Sequence, residues 1–468
     1  MRLLSVCVVL LCAASLSGAP RNVLFVVVDD LNTDLGCYGA KRVHTPHIDR
    51  LAAEGVRFDR AHSQYPLCNP SRVSFLTGRR PETTGVYVLN TPARKALPET
   101  VTLPQFFRQN GYFTAGAGKI FHNRATNDVE SWDFYEDLEG EDAQEKAAIS
   151  ARYGGGDGRP RGHVLDGDGS KTRDGINSTT IKRLLAERAA DQRPLFLALG
   201  FHKPHLPWTA PKKFFDLYSA QSLLPSPEPK MVDIPAIALQ TELTGFAQPD
   251  SVPEALQAYY ACVSFIDDLL GSVLAELDRL QLRENTVVVF FSDHGFHLGD
   301  HGGLWAKLSA FERSTRVPLI IAGAGVPAGK KVSTPVELCD LYPTLAQLSG
   351  LAAPADLEGL SLVPAMNGQP LARNYAASMV YHYDTSSQRD ILGRTIIGQE
   401  WRYTEWDQGN AGKELYLKRN DPGEYQNRAS EVSLASTLAT ARTELQRLPQ
   451  PKPGPANRPR ALLPKSNK

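Results

Sequence analysis

Short apolar runs alternate along the chain with segments whose hydrophobic residues recur at helical spacing. Five apolar runs predict strands, at Val23–Val28, Tyr112–Ala117, Leu195–Gly200, Thr286–Phe291 and Val317–Ala322. Segments between these runs predict helices, at Pro46–Glu54, Pro70–Thr77, Thr180–Ala189, Glu254–Leu280 and Pro335–Ser349. Strands that alternate with helices are typical of βαβ units around one sheet. The pattern therefore predicts an α/β protein with a mixed, mostly parallel sheet flanked by helices.

The pattern changes near residue 375, where shorter strands follow one another without long helices. They are predicted at Met379–Tyr383, Ile391–Ile397, Trp401–Trp406 and Glu414–Lys418, in the manner of an antiparallel meander. Arg428–Arg447 predicts a closing helix. We therefore expect a main domain at 20–370 and a smaller antiparallel-sheet subdomain at 371–448. The proline-rich, basic tail at 449–468 predicts disorder.

The segment Glu136–Gly175 is rich in glycine, aspartate and charged residues, which predicts an insertion or lip. Within it, Asp166, Asp168 and Ser170 imitate the start of a calcium-binding loop. The sixth position of that loop is Lys171 rather than glycine, and its twelfth is asparagine rather than glutamate. The departures favour a solvated loop.

The N-terminus has the order of a secretory signal. Arg2 precedes the apolar run Leu3–Ala14, which is too short to span a bilayer, and small residues follow it. We expect cleavage after residues 1–19 and export to the periplasm or the extracellular space, although a buried first strand is an alternative. Leu11 precedes Cys12 where a lipid-anchor signal usually has a small residue, which argues against an anchor.

Composition narrows the function classes. The 51 Lys+Arg balance the 51 Asp+Glu, so the chain has no excess positive charge to attract nucleic acid. Hydrophobic residues make up 42% and charged residues 22%, as in a globular enzyme, which excludes disorder and a multi-span membrane protein. Cys37, Cys68, Cys262 and Cys339 remain after the signal and form no C-x-x-C pair, which argues against a zinc ribbon or a disulfide scaffold. An unpaired cysteine in an exported protein should be buried or chemically special.

Polar residues follow four of the predicted strands. These endings are Asp29-Asp30, Gly118-Lys119 with His122, His202-Lys203-Pro204-His205, and Ser292-Asp293-His294-Gly295. Ligands of open α/β sheets bind beyond the carboxyl ends of the strands, so we expect these side chains to converge on one rim. Three carboxylates that converge repel one another unless a cation lies among them. Oxygen-dominated ligands indicate calcium or magnesium rather than zinc.

The pentapeptide Cys68-Asn69-Pro70-Ser71-Arg72 is the most specific feature. Asn69 can cap a helix that begins at Pro70, which would put Cys68 just before a helix N-terminus. Such a terminus presents free N–H groups and a partial positive charge to anions. Arg72 adds a planar set of donors suited to sulfate or phosphate.

This pentapeptide, followed by Leu76-Thr77-Gly78-Arg79, resembles the signature of the type I, formylglycine-dependent sulfatases, and the chain most resembles the iduronate-2-sulfatases among them. Further matching stretches are Val28–Leu31, Leu35–Gly39, Ser71–Pro81, Gly118–His122, His202–His205, Leu298–Gly302 and Trp305–Lys307. The resemblance implies an alkaline-phosphatase-like core. It also implies that a maturation enzyme converts Cys68 to formylglycine during export.

The resemblance further implies roles for individual residues. Asp29, Asp30, Asp293 and His294 would bind one calcium ion, together with the modified Cys68. Arg72 and Lys119 would hold the formylglycine diol, with His122 close by. Lys119, His202 and Lys307 would face the sulfate ester. We leave His205 out of the predicted site, because it can simply hydrogen-bond the backbone near the neighbouring prolines.

In the implied mechanism a diol oxygen attacks sulfur and forms a formylglycine sulfate ester. His202 or Lys307 protonates the leaving alcohol, and His122 assists release of the sulfate. The expected function is an exported, exo-acting 2-O-sulfatase on a uronate-type or related sugar of a glycosaminoglycan or similar polysaccharide. A phosphonate or phosphate monoesterase on the same fold, and a carbohydrate-binding pseudo-enzyme whose Cys68 stays a thiol, are the alternatives.

Overall fold

A computed structural model describes residues 21–138, 140–151, 162–223, 227–241, 250–384 and 387–453. The signal peptide predicted at 1–19 lies outside the described residues, as does most of the tail predicted at 449–468. Within that tail, the backbone N–H of Lys452 donates to the carbonyl oxygen of Glu82. The domain boundaries at 370 and 448 stay predictions.

The main domain is built on eight strands, which we number β1 to β8. They are β1 Asn22–Asp29, β2 Gly55–Phe58, β3 Phe113–Gly118, β4 Phe134–Glu136, β5 Leu195–Pro204, β6 Thr286–Ser292, β7 Leu319–Gly323 and β8 Lys330–Val332. The helices that flank its sheet are α1 Pro46–Glu54, α2 Cys68–Thr77, α3 Leu103–Gln109, α4 Arg173–Arg188, α5 Val252–Arg279 and α6 Leu341–Leu348. Further helices lie at Pro81–Thr84, Ala93–Ala96, Ala143–Ala151, Lys212–Phe215, Asp300–Gly303, Glu312–Thr315 and Val363–Met366. Short strands lie at Ala61–His62, His163–Leu165, Thr209–Pro211, His297–Leu298, Trp305–Ala306, Arg316–Val317 and Val336–Glu337.

The strand order of the large sheet is β8-β2-β7-β6-β1-β5-β3-β4. Strands β6, β1, β5, β3 and β4 are parallel, with Val26 of β1 opposite Phe290 on one side and Leu199 on the other. Strand β7 runs antiparallel to both β6 and β2. The predicted mixed, mostly parallel sheet is confirmed. It brings the carboxyl ends of β1, β3, β5 and β6, where the polar residues lie, to one edge.

Both faces of the sheet are covered by helices, which explains why its strands are nearly continuous apolar runs. Leu24, Val26 and Val28 of β1 pack with α1, α4 and α5 on one face. Val23, Phe25 and Val27 pack with α2, α3 and α6 on the other. Helix α5 is long and apolar enough to cross a membrane by composition, but 78% of its most apolar window is buried inside the protein. It is therefore a core helix of the domain.

Two predicted helices have different bounds in the structure. Helix α4 begins at Arg173 rather than Thr180, because the Thr172 hydroxyl accepts from the backbone N–H of Gly175 and caps it. The predicted helix Pro335–Ser349 is wrong over its first part. Val336 pairs with Ala61 in a short strand, and α6 begins only at Leu341.

The C-terminal subdomain is an antiparallel sheet of four strands in sequential order. They are β9 Ala376–Asp384, β10 Arg389–Ile397, β11 Trp401–Trp406 and β12 Gly412–Leu417. Helix α7, Ala435–Arg447, packs on this sheet through Ala441 and Leu445. The predicted antiparallel meander with a closing helix is confirmed.

Candidate active site

The carboxyl ends of β1, β3, β5 and β6 converge with the start of α2, as the positions of their polar residues predict. The pairing of β1 with β5 shifts register after Val28, so that Asp29 lies opposite Pro204. Asp30 follows with a left-handed backbone, at a φ of 62°. This bend turns two consecutive carboxylates toward the same group of side chains instead of to opposite faces of a strand.

Cys68 lies at the centre of this group and is 1% exposed. Its Sγ is 3.3 Å from Asp29 Oδ1, 3.3 Å from Lys307 Nζ and 3.4 Å from His294 Nε2. Burial and the neighbouring Asp29 carboxylate raise the pKa of the thiol well above its usual value. A cysteine packed for its apolar character would not be surrounded by charged atoms, so this position is built for a polar group.

The capping arrangement predicted for Asn69 is wrong. Helix α2 begins at Cys68 itself, and the backbone N–H of Ser71 donates to the carbonyl oxygen of Leu67. Asn69 instead donates through its amide to the carbonyl oxygens of Val88 and Thr91, both at 2.9 Å. The side chain therefore fixes a neighbouring loop, and Cys68 is the first residue of the helix rather than the residue before it.

Three cations pair with the three carboxylates. Lys119 contacts Asp29, Lys307 Nζ lies 2.5 Å from Asp30 Oδ1, and Arg72 Nε lies 2.9 Å from Asp293 Oδ2. Burial raises the pKa of Asp29, but Lys119 and the other nearby cations lower it by more, and it ends well below its usual value. Burial also raises the pKa of Asp30, and Lys307 brings it below its usual value. For Asp293 burial has the greater effect and the pKa is raised.

The residues predicted as metal ligands are brought together. One ligand atom from each of Asp29, Asp30, Cys68 and His294 lies within 4.8 Å of the others, and Asp293 Oδ1 is 3.6 Å from His294 Nε2. His294 Nδ1 is 3.0 Å from the carbonyl oxygen of Gly295, so Nδ1 carries the proton of the neutral ring and Nε2 presents a lone pair to the group. Carboxylate oxygens with one imidazole fit a hard divalent cation such as calcium.

Two buried polar atoms at the site have no hydrogen-bond partner among the described residues. They are Arg72 Nη2, which lies 3.7 Å from Asp29 Oδ1, and His122 Nδ1. Burial and the nearby Lys119 lower the pKa of His122 to about 2, so its ring is neutral. Buried polar atoms are rarely left without partners. These two are available to a group added at Cys68 or to a bound substrate.

The two histidines at the end of β5, His202 and His205, differ from expectation. His202 contacts carboxylates on both sides, with Nδ1 3.3 Å from Asp174 and Nε2 3.7 Å from Asp137. His205, which sequence reasoning set aside, has Nε2 3.9 Å from Asp30 Oδ2. Its Nδ1 does contact the backbone, 2.6 Å from the carbonyl oxygen of Leu206, so in the neutral ring the lone pair of Nε2 faces the site. The backbone bond expected of His205 was therefore correct, but it orients the ring toward the site.

Comparisons with known proteins agree with this geometry. The sulfatase family model matches residues 21–351, and a second model, the C-terminal part of N-sulphoglucosamine sulphohydrolase, matches 299–450. The chain is similar to a sulfatase of Formosa agariphila, with 34% identity over 89% of this chain and 84% of that protein. It is also similar to the iduronate 2-sulfatase of Mus musculus, with 36% identity over 87% of this chain and 84% of that enzyme.

Among solved structures, a protein in complex with its substrate D-glucosamine-2-N,6-O-disulfate superposes with a TM-score of 0.73. The match covers 91% of this chain and 97% of that one at 21% identity, and it confirms the predicted alkaline-phosphatase-like fold class. Because the family model covers more than half of the sequence and both relatives exceed 30% identity over most of their length, the chain belongs to the sulfatase family of sulfuric ester hydrolases.

Proposed function

We propose that this chain is an exported hydrolase of sulfate monoesters on carbohydrates, and that it removes a 2-O-sulfate from the end of a uronate-bearing or related oligosaccharide. The observation that carries the proposal is the shell of Asp29, His294 and Lys307 around the buried sulfur of Cys68. The sugar class is supported by the similar iduronate 2-sulfatase and by the disulfated glucosamine bound to the structural neighbour. The exported location depends on the predicted signal at 1–19.

We propose that Cys68 acts as formylglycine and that Asp29, Asp30, Asp293 and His294 hold one calcium ion beside it. The hydrated aldehyde would supply a nucleophilic oxygen with a second hydroxyl for sulfate release, and the calcium ion would polarise it. The fit of both groups is supported by the oxygen-rich ligand set and by the unpaired Arg72 Nη2 and His122 Nδ1.

Lys119 and Lys307 would bind and orient the sulfate group, and Arg72 together with Lys119 would hold the formylglycine diol. The three positive charges of Lys119, Lys307 and Arg72 balance the three formal negative charges of Asp29, Asp30 and Asp293. The side chains alone therefore offer no excess positive charge to an anionic ester. A divalent cation held by the carboxylates would supply that excess. A unit charge pair at 4 Å is worth on the order of 4 kcal/mol at an effective dielectric of 20, so converging cations are an adequate source of transition-state stabilisation.

We assign protonation of the leaving alcohol to Lys307 rather than to a histidine. Lys307 Nζ carries protons and lies 3.3 Å from Cys68 Sγ. Nε2 of His205 presents a lone pair to the site instead, because burial lowers the pKa of this histidine to about 4 and its Nδ1 proton is directed to the carbonyl oxygen of Leu206. The ring nitrogens of His202 face Asp174 and Asp137 instead, and its backbone N–H is also held by Asp174. His122, partly buried and neutral, is the proposed base for release of sulfate.

Sulfate release from an aryl sulfate and from a heparin-derived disaccharide sulfated at O2 of the uronate tests the activity, with the matched aryl phosphate measured alongside. A large preference for phosphate would favour a phosphate or phosphonate monoesterase and overturn the proposal. Mass analysis of the Cys68 peptide from the exported protein tests the modification. An unmodified thiol in fully active protein would refute it.

Substitution of Cys68 separates chemistry from packing. We expect Cys68→Ser to abolish turnover while the thermal unfolding midpoint stays close to that of the parent, because serine has no second hydroxyl for sulfate release. Cys262→Ser is the matched control, since Cys262 is equally buried but packs in the hydrophobic core, with its Sγ 3.5 Å from the carbonyl oxygen of Thr209. Turnover that survives in Cys68→Ser at the level of Cys262→Ser would contradict the proposed role.

A further inference from the structure

Lys307 is held between two residues with unfavourable backbone conformations. Ala306 has a φ of 69° and Leu308 a φ of 64°, both in the left-handed region that residues with a Cβ rarely adopt. Lys307 itself is 3% exposed and reaches both Asp30 Oδ1 and Cys68 Sγ. Backbone conformations of this kind persist only where the surrounding structure holds them. The direction of the Lys307 side chain therefore depends on the contacts that hold this segment of the backbone.

The residues on either side of Lys307 are fixed by the main domain. Ala306 pairs with His297 in a short antiparallel ladder, and the backbone N–H of Leu308 donates to the carbonyl oxygen of Pro66, close before Cys68. On the C-terminal side the segment is fixed by Arg402, a residue of β11 in the other sheet. Arg402 donates through Nη1 to the carbonyl oxygen of Ala310 at 2.5 Å and through Nη2 to the hydroxyl of Thr315 at 3.0 Å.

Arg402 is suited to hold the segment rigidly. It is fully buried, and its charge is balanced by Glu424, 2.6 Å from Nε, and by Glu312, 3.5 Å from Nη2. The planar guanidinium can therefore direct separate N–H groups to two acceptors of the loop while its position is fixed by carboxylates. Glu424, also from the C-terminal subdomain, accepts the backbone N–H of Glu312 at 2.7 Å and anchors the same stretch.

We propose that Arg402 is a positioning residue for Lys307, and that the C-terminal subdomain thereby completes the active site. The inference rests on the proposed function, because it matters only if Lys307 binds the sulfate ester. The contacts that carry the role are with Ala310 and Thr315, not with the reacting group. A displaced Lys307 would weaken an interaction needed in the transition state, so the expected effect is on kcat more than on KM.

Lys418 offers a matched control for Arg402. It contacts the same two carboxylates, Glu312 and Glu424, from the neighbouring strand end, and the contacts of Lys418 Nζ are with those carboxylates rather than with Ala310 or Thr315. We expect Arg402→Lys to lower kcat on the aryl sulfate by roughly tenfold to a hundredfold with KM within about threefold. Lys418→Gln should leave kcat within about twofold of the parent while it lowers the thermal unfolding midpoint, because it leaves Glu312 and Glu424 with less compensating charge.

A second pair of variants keeps the test decisive if Arg402→Lys does not fold. Thr315→Val removes the hydroxyl that accepts from Arg402. Thr395→Val removes a buried hydroxyl of β10 that bonds the hydroxyl of Thr404 across the subdomain sheet, at 2.9 Å. Thr315→Val should lower kcat at unchanged KM, and Thr395→Val should not. Equal kcat for the two members of each pair, or a change confined to KM, would overturn the inference. In that outcome, sulfate release by the parental protein would still uphold the proposed function. A parental protein that releases no sulfate from either substrate would overturn the proposed function and this inference with it.

Discussion

Two buried carboxylates, Asp29 in the active site and Glu414 in the C-terminal sheet, show how differently two regions of this protein treat charge. Both side chains are almost completely removed from solvent. Burial raises the pKa of each, but at Asp29 the nearby Lys119 and other cations reverse the effect. At Glu414 the bonded partners are neutral, the Tyr416 hydroxyl and the Trp406 indole N–H, and the pKa rises to about 7.

The difference teaches that the partner, not the depth of burial, decides whether an interior carboxylate stays charged. The active site keeps ionised carboxylates by surrounding them with cations, and such an arrangement costs stability unless every charge is paired. In the C-terminal sheet, Glu414 is equally buried, and its pKa lies near neutral pH. Substitutions that remove one charge from each region should therefore have different consequences.

The largest expected effect is at the active site. Asp29→Asn keeps the shape of the side chain but leaves Lys119 without its buried carboxylate and removes one proposed calcium ligand. Loss of an electrostatic contact of this kind typically costs 10²–10³ in rate, and two such contacts are lost together, so we expect kcat/KM to fall by about 10⁴-fold. Steady-state kinetics and the bound calcium content of the purified protein measure the two consequences.

The exposed Asp356, which pairs with Arg79 at the surface, is the control for Asp29. Asp356→Asn should change neither calcium content nor kcat/KM measurably, because exposed pairs contribute little. Activity and calcium content retained in Asp29→Asn would contradict the proposed ligand set and would remove the contrast between the two regions.

A third buried carboxylate separates charge pairing from catalysis. Glu337 is fully buried and pairs with Arg80 at 2.7 Å and with Arg373 at 3.2 Å, and these two arginines lower its pKa although burial raises it. Glu337→Gln leaves two buried guanidinium groups with less compensation, so we expect the free energy of unfolding to fall by about 4 kcal/mol. Urea denaturation measures this loss, and kcat of the folded variant should stay near the parental value. A catalytic defect without a loss of stability would show that this network also serves the site.

Much of this organisation could be predicted from the sequence because it depends on local pattern. The apolar runs gave the strands of the sheet, and the polar residues directly after them located Asp29, Lys119 and Asp293. The start of α2 was misjudged by two residues, since Asn69 is used by the loop at Val88 and Thr91 rather than by its own helix. Local signals cannot show such a competing partner from elsewhere in the chain.

The remaining features depend on contacts between distant segments. Asp174, at the start of α4, accepts the backbone N–H of His202 at 2.8 Å. This contact decides that His205, rather than His202, faces the active-site carboxylate of Asp30. The predicted helix began after Asp174, so the partner was hidden. The dependence of Lys307 on Arg402, 95 positions further along the chain, has no local signature at all. The resemblance to known sulfatases indicated the chemistry, but only the structure shows which contacts position each side chain.

The smallest expected effect concerns Glu414. The free carboxyl has a pKa near 4.3, so between about pH 4.5 and pH 7 the folded protein holds a proton that the unfolded chain has released. The contribution of this group to stability is therefore complete below about pH 4.5, and it decreases as pH rises through the pKa of about 7, by about 3 kcal/mol in total.

Glu414→Gln cannot ionise, and its amide can accept from Trp406 and donate to the Tyr416 hydroxyl. We expect the variant to gain about 3 kcal/mol relative to the parent between pH 5 and pH 8 in urea denaturation, while the exposed Glu400→Gln on the same sheet tracks the parent. A constant difference across this pH range would mean that Glu414 is ionised in the folded protein, and the contrast with Asp29 would then lie in catalysis alone.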